Sequence, residues 1–176
     1  MKTHTVLVIN ALIIISALAG SIAAAEGIKS SAVQPANSPA ISSEEELAAF
    51  VESAAAYAQS MGRDVAIRDF MNISGPWVRG ETYIFAHDFN GTALVLPYLP
   101  DDVGTNRLDL QDAEGRYINR DMRAIAMNKS GFYHYVYRNP ATNETEPKVS
   151  YVMKVDDTWW LGSGIYVEDE NKKQSP

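Results

Sequence analysis

The sequence has no cysteine and only three histidines, His4, His87 and His134. Without cysteine, no disulfide can stabilise the domain and no lipid can be attached to an N-terminal cysteine. Zinc prefers Cys and His ligands, so a zinc site would need scattered carboxylates brought together by folding. The chain also lacks the His-Glu-x-x-His and Gly-x-Ser-x-Gly motifs and any glycine-rich loop that could cradle a phosphate. We therefore predict no enzyme activity, no bound metal and no cofactor.

Basic residues are few: 15 Lys and Arg stand against 22 Asp and Glu, for a net charge of −7. The basic residues are also dispersed, whereas a nucleic-acid-binding surface needs a basic patch. The same acidic balance gives no attraction to anionic lipid headgroups. A chain of 176 residues suits a single domain with one hydrophobic core. We expect a single acidic domain that does not bind nucleic acid.

One long stretch, residues 6–25, has no charged side chain. It follows Lys2 and ends in Ala23, Ala24 and Ala25, directly before Glu26. This order of basic, apolar and small-residue segments is typical of a secretory signal peptide, and it predicts that secreted material begins near residue 26. The alternative is an uncleaved membrane anchor, because about 20 apolar residues span a bilayer. Both interpretations predict an extracellular or cell-surface protein whose membrane contact is limited to residues 6–25.

Four Asn-x-Ser/Thr triplets follow, at Asn72, Asn90, Asn128 and Asn143. Behind a signal peptide, such triplets in turns and at helix ends are candidate glycosylation sites. The alternative is chance occurrence in a chain rich in Asn, Ser and Thr. The sequence leaves both open.

The pattern of apolar residues changes along the chain. Residues 26–41 are rich in Ser, Ala and Pro and predict a flexible linker. Ser42 or Ser43 then caps a long helix with apolar residues at helical spacing. From Glu81 the period falls to two, with a hairpin turn at Asn90 and Gly91. A connection, a short helix and three more strands follow, and residues 170–176 form a polar tail. This order predicts an α+β fold with one antiparallel sheet of about five strands.

The strand at residues 132–138 carries aromatic rings on both faces. Tyr133 and Tyr135 share one face, whereas a strand with one solvated face alternates apolar and polar residues more cleanly. These tyrosines therefore line a pocket or form ordinary core against the N-terminal helix. Lys148 begins a later strand, where a lysine beside tyrosines would bind a small carboxylate. Alternatively, its stem lies along the sheet edge and its ammonium reaches solvent.

The connection before the short helix is acidic. Its carboxylates are Asp101, Asp102, Asp109, Asp112 and Glu114. They could be read as calcium ligands, but their spacing is not that of an EF-hand loop. A solvated acidic loop that caps the short helix is the simpler interpretation.

Several segments of the chain resemble the single Cache family of extracellular sensor domains. They are residues 82–92, 103–115, 139–140, 148–151 and 159–166. The resemblance covers residues 45–169, and we delimit the domain as residues 42–169. It implies a PAS-like fold, in which a long N-terminal helix packs on a curved antiparallel sheet and loops close a small pocket over the other face.

The resemblance also implies a function: such domains bind small metabolites outside the membrane, often short organic acids, without transforming them. We expect Trp77, Tyr83, Phe85, Tyr133 and Tyr135 to form the pocket walls. Lys148 and Arg107 are the candidates for anion recognition.

Two features depart from the family pattern. The family often has His before the proline that ends the second strand, and here Leu96 precedes Pro97; His87 is a candidate replacement. No second apolar span or output module follows Tyr166. We therefore expect a membrane receptor or envelope protein to read the bound state. The alternative is a stand-alone extracellular interaction or envelope module that keeps the fold without a small-molecule ligand.

Overall fold

A computed structural model of the protein describes residues 40–139 and 141–168. The predicted signal peptide or anchor (residues 1–25), nearly all of the predicted linker and the tail at residues 170–176 lie outside the described residues. Ile41, the last residue of that linker, is buried in the core, so the packed domain includes it. Within the described ranges, no helix combines the length and the apolar character needed to cross a bilayer.

The first helix, α1 (Glu44–Met61), begins with the expected capping interactions. The Ser43 hydroxyl accepts a hydrogen bond from the Glu46 amide at 3.2 Å, and the Glu46 carboxylate accepts one from the Ser42 amide at 2.9 Å. Both amides belong to the helix start, where backbone donors have no partner within the helix. Gly62 ends the helix with φ of +84°. The buried face of α1 consists of Leu47, Phe50, Val51, Ala54, Ala55 and Ala58.

A second helix, α2 (Arg63–Phe70), leads to a small hairpin of β1 (Val78–Arg79) and β2 (Thr82–Tyr83). The alternating pattern predicted one continuous strand from about residue 81. Instead, β2 pairs with β1 across Gly80, and the chain joins the main sheet only at Phe85. The turn needs the positive φ of Gly80, +62°, which apolar periodicity alone does not reveal.

The main sheet has five strands: β3 (Phe85–Asp88), β4 (Ala93–Val95), β5 (Ser130–Arg138), β6 (Thr145–Lys154) and β7 (Trp159–Tyr166). Their spatial order is β4-β3-β7-β6-β5, and every neighbouring pair is antiparallel. The connection from β4 to β5 contains a 3₁₀ turn (Pro100–Asp102) and α3 (Ile118–Met127). The predicted α+β class and five-stranded antiparallel sheet are confirmed.

The β3–β4 hairpin turns at Asn90 and Gly91, as the sequence predicts. The Asp88 carboxylate accepts hydrogen bonds from the amides of Asn90 and Thr92 at 2.9 and 2.8 Å, and Gly91 has φ of +94°. The pairing register shifts between Ala86 and His87, as in a β-bulge. Bulges re-aim side chains, and this one lies at His87.

Alternate residues of the same strands form two separate cores. On one face, α1 and α2 cover residues such as Ile84, Val149 and Leu161. On the other face, α3 and the β4–α3 connection cover residues such as Phe85, Tyr135 and Trp160. We call these the helical face and the loop face of the sheet.

Candidate functional site

A cavity lies on the loop face, between the sheet and the layer formed by α3 and the β4–α3 connection. The cavity is open on one side, and the unoccupied space in it and at its solvent-filled mouth is together about 390 Å³. Side chains from β2, β3, β5, β6, the connection and α3 form its walls. They are Tyr83, Phe85, His87, Leu96, Arg107, Leu110, Ile118, Asn119, Met122, Tyr135, Tyr137 and Lys148.

Lys148 is the main cation of the cavity and is 3% exposed. Its ammonium lies 4.4, 5.2 and 5.5 Å from the ring centres of Tyr166, Tyr83 and Tyr137 and 3.4 Å from the Tyr166 hydroxyl. No ion pair to Lys148 occurs in the part of the chain that the structure describes. Burial lowers the pKa of Lys148 to about 7, although the charge of Glu81 opposes this shift. The site therefore holds a desolvated ammonium without a carboxylate partner.

Two glycines of β7 let Lys148 and Phe85 lie close to the sheet. A Cβ atom at Gly164 would stand 2.7 Å from Lys148 Cε and 2.3 Å from the Ser150 hydroxyl oxygen. One at Gly162 would stand 2.9 Å from the Phe85 ring. Real side chains do not approach so closely, so any larger residue at Gly164 would displace the lysine stem.

Tyr135 and Ser150 form a buried polar pair beside Lys148. Their hydroxyl oxygens are 3.1 Å apart, and Tyr135 is buried between its neighbours on β5, Tyr133 and Tyr137. Burial raises the pKa of Tyr135 well above its ordinary value, so the hydroxyl stays protonated. A protonated hydroxyl near an ammonium adds a hydrogen-bond donor to this end of the cavity.

His87 lies in the same cavity and is 2% exposed. Neither ring nitrogen has a hydrogen-bond partner in the part of the chain that the structure describes. Burial, followed by repulsion from the Arg107 charge, lowers its pKa to about 4. The ring is therefore neutral near pH 7.

Arg107 enters the cavity wall from the connection. Its side chain is 15% exposed and forms an ion pair with Asp102. Its backbone carbonyl accepts a hydrogen bond from the Asn119 side chain at 2.9 Å, which joins the connection to α3. Because Asp102 already balances its charge, Arg107 is a weaker candidate than Lys148 for holding an anion.

The acidic connection is organised by ion pairs with arginines. Asp112, whose side chain is fully buried, accepts from Arg116 at 2.7 Å and from the amides of Arg116 and Glu114. Asp109 pairs with Arg120 on α3. These contacts fix the loop and join it to α3. The predicted capping role is wrong, because the Tyr117 N-cap of α3 makes no side-chain capping hydrogen bond and the Asp112 side chain is buried rather than solvated.

The structure brings six of the eight predicted site residues together at the cavity. They are Tyr83, Phe85, His87, Arg107, Tyr135 and Lys148. Tyr133 lies beside the cavity on the same strand face, but it is outside the lining; its hydroxyl donates to Asp121 at 2.7 Å. The proposal that Lys148 reaches solvent at the sheet edge is wrong, because β7 and the tyrosine rings bury it.

The prediction that Trp77 forms a cavity wall is wrong. Trp77 packs in the helical-face core, edge-on to Phe70 at 5.2 Å between ring centres and 5.1 Å from Tyr57. It precedes β1 in an irregular segment, where no alternating pattern assigns a side chain to either face. Burial of a large aromatic ring between α1 and α2 decided its position.

Sequence reasoning missed two polar lining residues, Tyr137 and Asn119. Tyr137 alternates with Tyr133 and Tyr135, so the same argument could have included it. Asn119 is next to Ile118 and three residues before Met122, on the buried side of α3. The helical spacing therefore carried the signal that this amide faces inward.

The four predicted glycosylation residues, Asn72, Asn90, Asn128 and Asn143, are all exposed. Asn143 adopts a positive φ of 64° in the β5–β6 turn. Exposure is necessary for modification, and glycosylation itself stays a prediction.

Comparison with known proteins links this geometry to one family. A family model described as a Cache domain matches residues 66–175, more than half of the chain. Among curated proteins, the sensor histidine kinase MctS of Rhizobium johnstonii is 32% identical over 88 residues. The matched region is 49% of this chain and 19% of that kinase, so the chain spans about a fifth of its relative.

Solved structures share the fold. A methyl-accepting chemotaxis protein from Vibrio parahaemolyticus superposes with a TM-score of 0.61 at 22% identity, covering 71% of this chain and 88% of that one. A Cache chemosensory domain solved for its recognition of carboxylic acids gives 0.60 at 23% identity, covering 70% and 92%. The periplasmic sensor domain of a chemotaxis protein gives 0.56 at 24% identity, covering 70% and 90%.

Proposed function

Because this chain belongs to the Cache domain family, we propose that it binds a small carboxylate beside Lys148 and serves as the ligand-binding part of an extracytoplasmic sensor. The supporting observation is the Lys148 ammonium, which is buried in the cavity without a carboxylate partner among the described residues. A buried charge is costly unless it is paired. A carboxylate ligand would supply the missing charge and accept hydrogen bonds from the ammonium.

The remaining walls suit a short carbon chain. Phe85, Leu96, Leu110, Ile118 and Met122 offer apolar surface, and the tyrosines offer rings with polar ends. Pockets for small molecules combine largely apolar walls with a few placed polar groups. Binding requires no chemical step, and the proposed role is recognition alone.

The related proteins favour a sensory role. They include a sensor histidine kinase, a methyl-accepting chemotaxis protein, the periplasmic sensor domain of a chemotaxis protein, and a Cache chemosensory domain solved for carboxylic acid recognition. By analogy, we propose that a membrane receptor or an envelope protein reads the bound state of this domain. Residues 1–25 would direct the domain across the membrane, as a cleaved signal or as an anchor, and its exposed asparagines would be available for glycosylation.

One observation favours a second candidate. The three rings around the Lys148 ammonium, those of Tyr83, Tyr137 and Tyr166, are placed for cation–π contacts that stabilise the charge without a ligand. In that case Lys148 is a structural group, and the domain is an interaction module that keeps the fold without binding a metabolite.

Calorimetric titration of acetate, propionate, butyrate and pentanoate into the wild type and Lys148→Met tests the proposal. Losing a charge-assisted hydrogen bond costs roughly 1.5–3 kcal/mol, or about a ten- to hundredfold loss of affinity. The matched control is Lys154→Met, which lies on the same strand and the same face but pairs with Asp157 at the surface. The control should bind like the wild type.

Equal affinity of wild type and Lys148→Met for these acids would remove Lys148 from the site. If no acid binds the wild type and Lys148→Met is markedly less stable, the second candidate is correct. Mass spectrometry of small molecules released from native protein complements the titration, because a co-purified acid would identify the ligand directly.

A further inference from the structure

His87 is the second polar group of the cavity that the protein itself leaves unsatisfied. It is 2% exposed, it lines the cavity, and neither Nδ1 nor Nε2 has a hydrogen-bond partner within residues 40–139 and 141–168. Buried polar groups in folded proteins nearly always have a hydrogen-bond partner. Two unpaired nitrogens on one buried ring therefore indicate a partner that arrives with the ligand.

The neighbours of His87 hold the ring in place. It stacks on Trp160 with ring centres 5.1 Å apart and planes 19° apart, and Phe85 packs against it at 6.3 Å. The register shift between Ala86 and His87 lies at the same position. A ring fixed by stacking and by an irregular backbone presents its nitrogens in a constant direction, as recognition of a small group requires.

The chemistry of His87 indicates what it would bind. With the pKa lowered to about 4 by burial and by the Arg107 charge, the neutral ring offers one N–H donor and one acceptor nitrogen. A neutral hydroxyl or carbonyl oxygen matches such a ring. A second carboxylate on the ligand would need a cation rather than a neutral ring. The nearby cation, Arg107, is already paired with Asp102.

The sheet register separates His87 from Lys148. Strand β7 lies between their strands; His87 pairs with Trp160, and the Lys148 stem lies over Gly164. Trp160 and Gly164 are four residues apart on β7, which corresponds to a backbone separation of about 13 Å. Two hydrogen bonds of about 3 Å fill part of that span, so several carbons must separate the two polar ends of the ligand. Phe85 lines the cavity opposite Gly162, between these positions.

We propose that the ligand carries a hydroxyl or carbonyl oxygen on a carbon remote from its carboxylate, and that His87 hydrogen-bonds this oxygen. The inference rests on the proposed binding of the carboxylate at Lys148. It defines the ligand class as hydroxy- or oxo-carboxylic acids with the oxygen near the far end of the chain. A site built to hydrogen-bond such an oxygen discriminates against the analogue that lacks it.

Matched acids test this class. We would measure dissociation constants for 5-hydroxypentanoate, 4-oxopentanoate, 2-hydroxypentanoate and pentanoate on the wild type, His87→Phe and His134→Phe. At least one acid with a remote oxygen should bind the wild type about tenfold or more tightly than pentanoate, and 2-hydroxypentanoate should not. His87→Phe should reduce this ratio to about one. His134 is exposed on the other sheet face, so His134→Phe should keep the wild-type ratio.

The outcomes separate this inference from the proposed function. If pentanoate binds as tightly as every oxygenated acid, or if the preference survives in His87→Phe, the inference is overturned while Lys148-dependent binding still stands. If none of the acids binds the wild type, both are overturned.

A measurement on the unmutated protein covers the case in which His87→Phe fails to fold. In protein labelled with ¹⁵N at histidine, the His87 ring nitrogens should shift when 5-hydroxypentanoate or 4-oxopentanoate is added and shift much less with pentanoate. Equal responses of the His87 ring to all acids would overturn the inference.

Discussion

The two faces of the five-stranded sheet are made from alternate residues of the same strands, yet they differ in whether their buried polar groups have hydrogen-bond and charge partners. On the helical face, the buried cluster consists of apolar side chains packed between the sheet and two helices. On the loop face, among the described residues, Lys148 is buried without a counter-ion and His87 without a hydrogen bond. The first face is built for stability, and the second keeps polar groups ready for a partner.

This difference has a simple energetic basis. Close apolar packing is the main favourable term in folding, and the helical face supplies it through α1 and α2. Unsatisfied polar groups reduce stability, so they persist only where the rest of the fold compensates. Mutations on the helical face should therefore change stability without changing binding, and replacement of the Lys148 amine should change binding with little effect on stability.

The largest expected effect is on the helical face, at Trp77. Trp77→Ala should lower the free energy of unfolding by about 3–5 kcal/mol, because it removes a ring packed on Phe70, Tyr57 and Phe50. Chemical denaturation measures this loss. Carboxylate affinity, measured well below the melting temperature, should stay at the wild-type value. A cavity ligand that binds ten times more weakly to folded Trp77→Ala would contradict the separation of the two faces.

The next largest effect is at Gly164, where a substitution should lower both the stability and the carboxylate affinity. A methyl group there would collide with Lys148 Cε and the Ser150 hydroxyl, so Gly164→Ala should cost about 1–3 kcal/mol of stability. It should also weaken carboxylate binding about tenfold by moving the ammonium. Gly115→Ala is the control: Gly115 has φ of +81° and open space around it, so the variant is strained but leaves the cavity intact. Unchanged affinity in Gly164→Ala would show that the glycine does not position Lys148.

The sequence predicted which residues lie on the loop face better than it predicted what each of them does there. Alternation along residues 83–87 and 132–138 placed Tyr83, Phe85 and Tyr135 on one side, because successive strand residues point to opposite faces. The same rule cannot place Trp77, which lies in an irregular segment before β1. It also cannot detect the burial of Lys148, which arises because β7 and rings from three separate strands surround it.

Other features depend on distant pairing. The Gly162-Ser163-Gly164 segment is evident in the sequence. That Gly164 leaves room for the Lys148 stem follows only from the strand register, which places the two residues next to each other. His87 was recognisable as a polar residue in an apolar strand. Its lack of a partner follows from what α3 and the connection place around it, which local periodicity does not encode.

The third prediction is a pH dependence of carboxylate binding. The pKa of Lys148 in the empty site is about 7, so the site loses its charge as pH rises above this value. A bound carboxylate favours the protonated amine, so affinity should fall by up to about tenfold per pH unit between pH 7 and pH 9. His87 is neutral throughout this range, and burial raises the pKa of Tyr83, so neither accounts for the change.

Calorimetry at pH 6, 7, 8 and 9 measures this dependence, and buffers with different ionisation enthalpies count the protons taken up on binding. Lys148→Arg provides the comparison, because a guanidinium stays charged across the range. Any acid that this variant binds should show a flat profile. A flat profile in the wild type would mean that the ammonium does not hold the ligand.

The smallest expected effect is the ligand-free stability of Lys148→Met at pH 7, which should differ from the wild type by less than about 1 kcal/mol or be slightly higher. Removing the amine relieves the burial of an unpaired charge, and Met fills similar volume beside the tyrosine rings.

The pKa of Lys148 also fixes how this stability difference changes with pH. The folded-state pKa of about 7 lies below the unfolded value of 10.5, so the unfolded chain binds more protons between them and the wild type gains stability relative to Lys148→Met as pH rises from 7 to 9. Denaturation curves at both pH values measure the difference. A loss of several kcal/mol at pH 7 would assign Lys148 to the structural role of the second candidate and would place the loop face, like the helical face, among the determinants of stability.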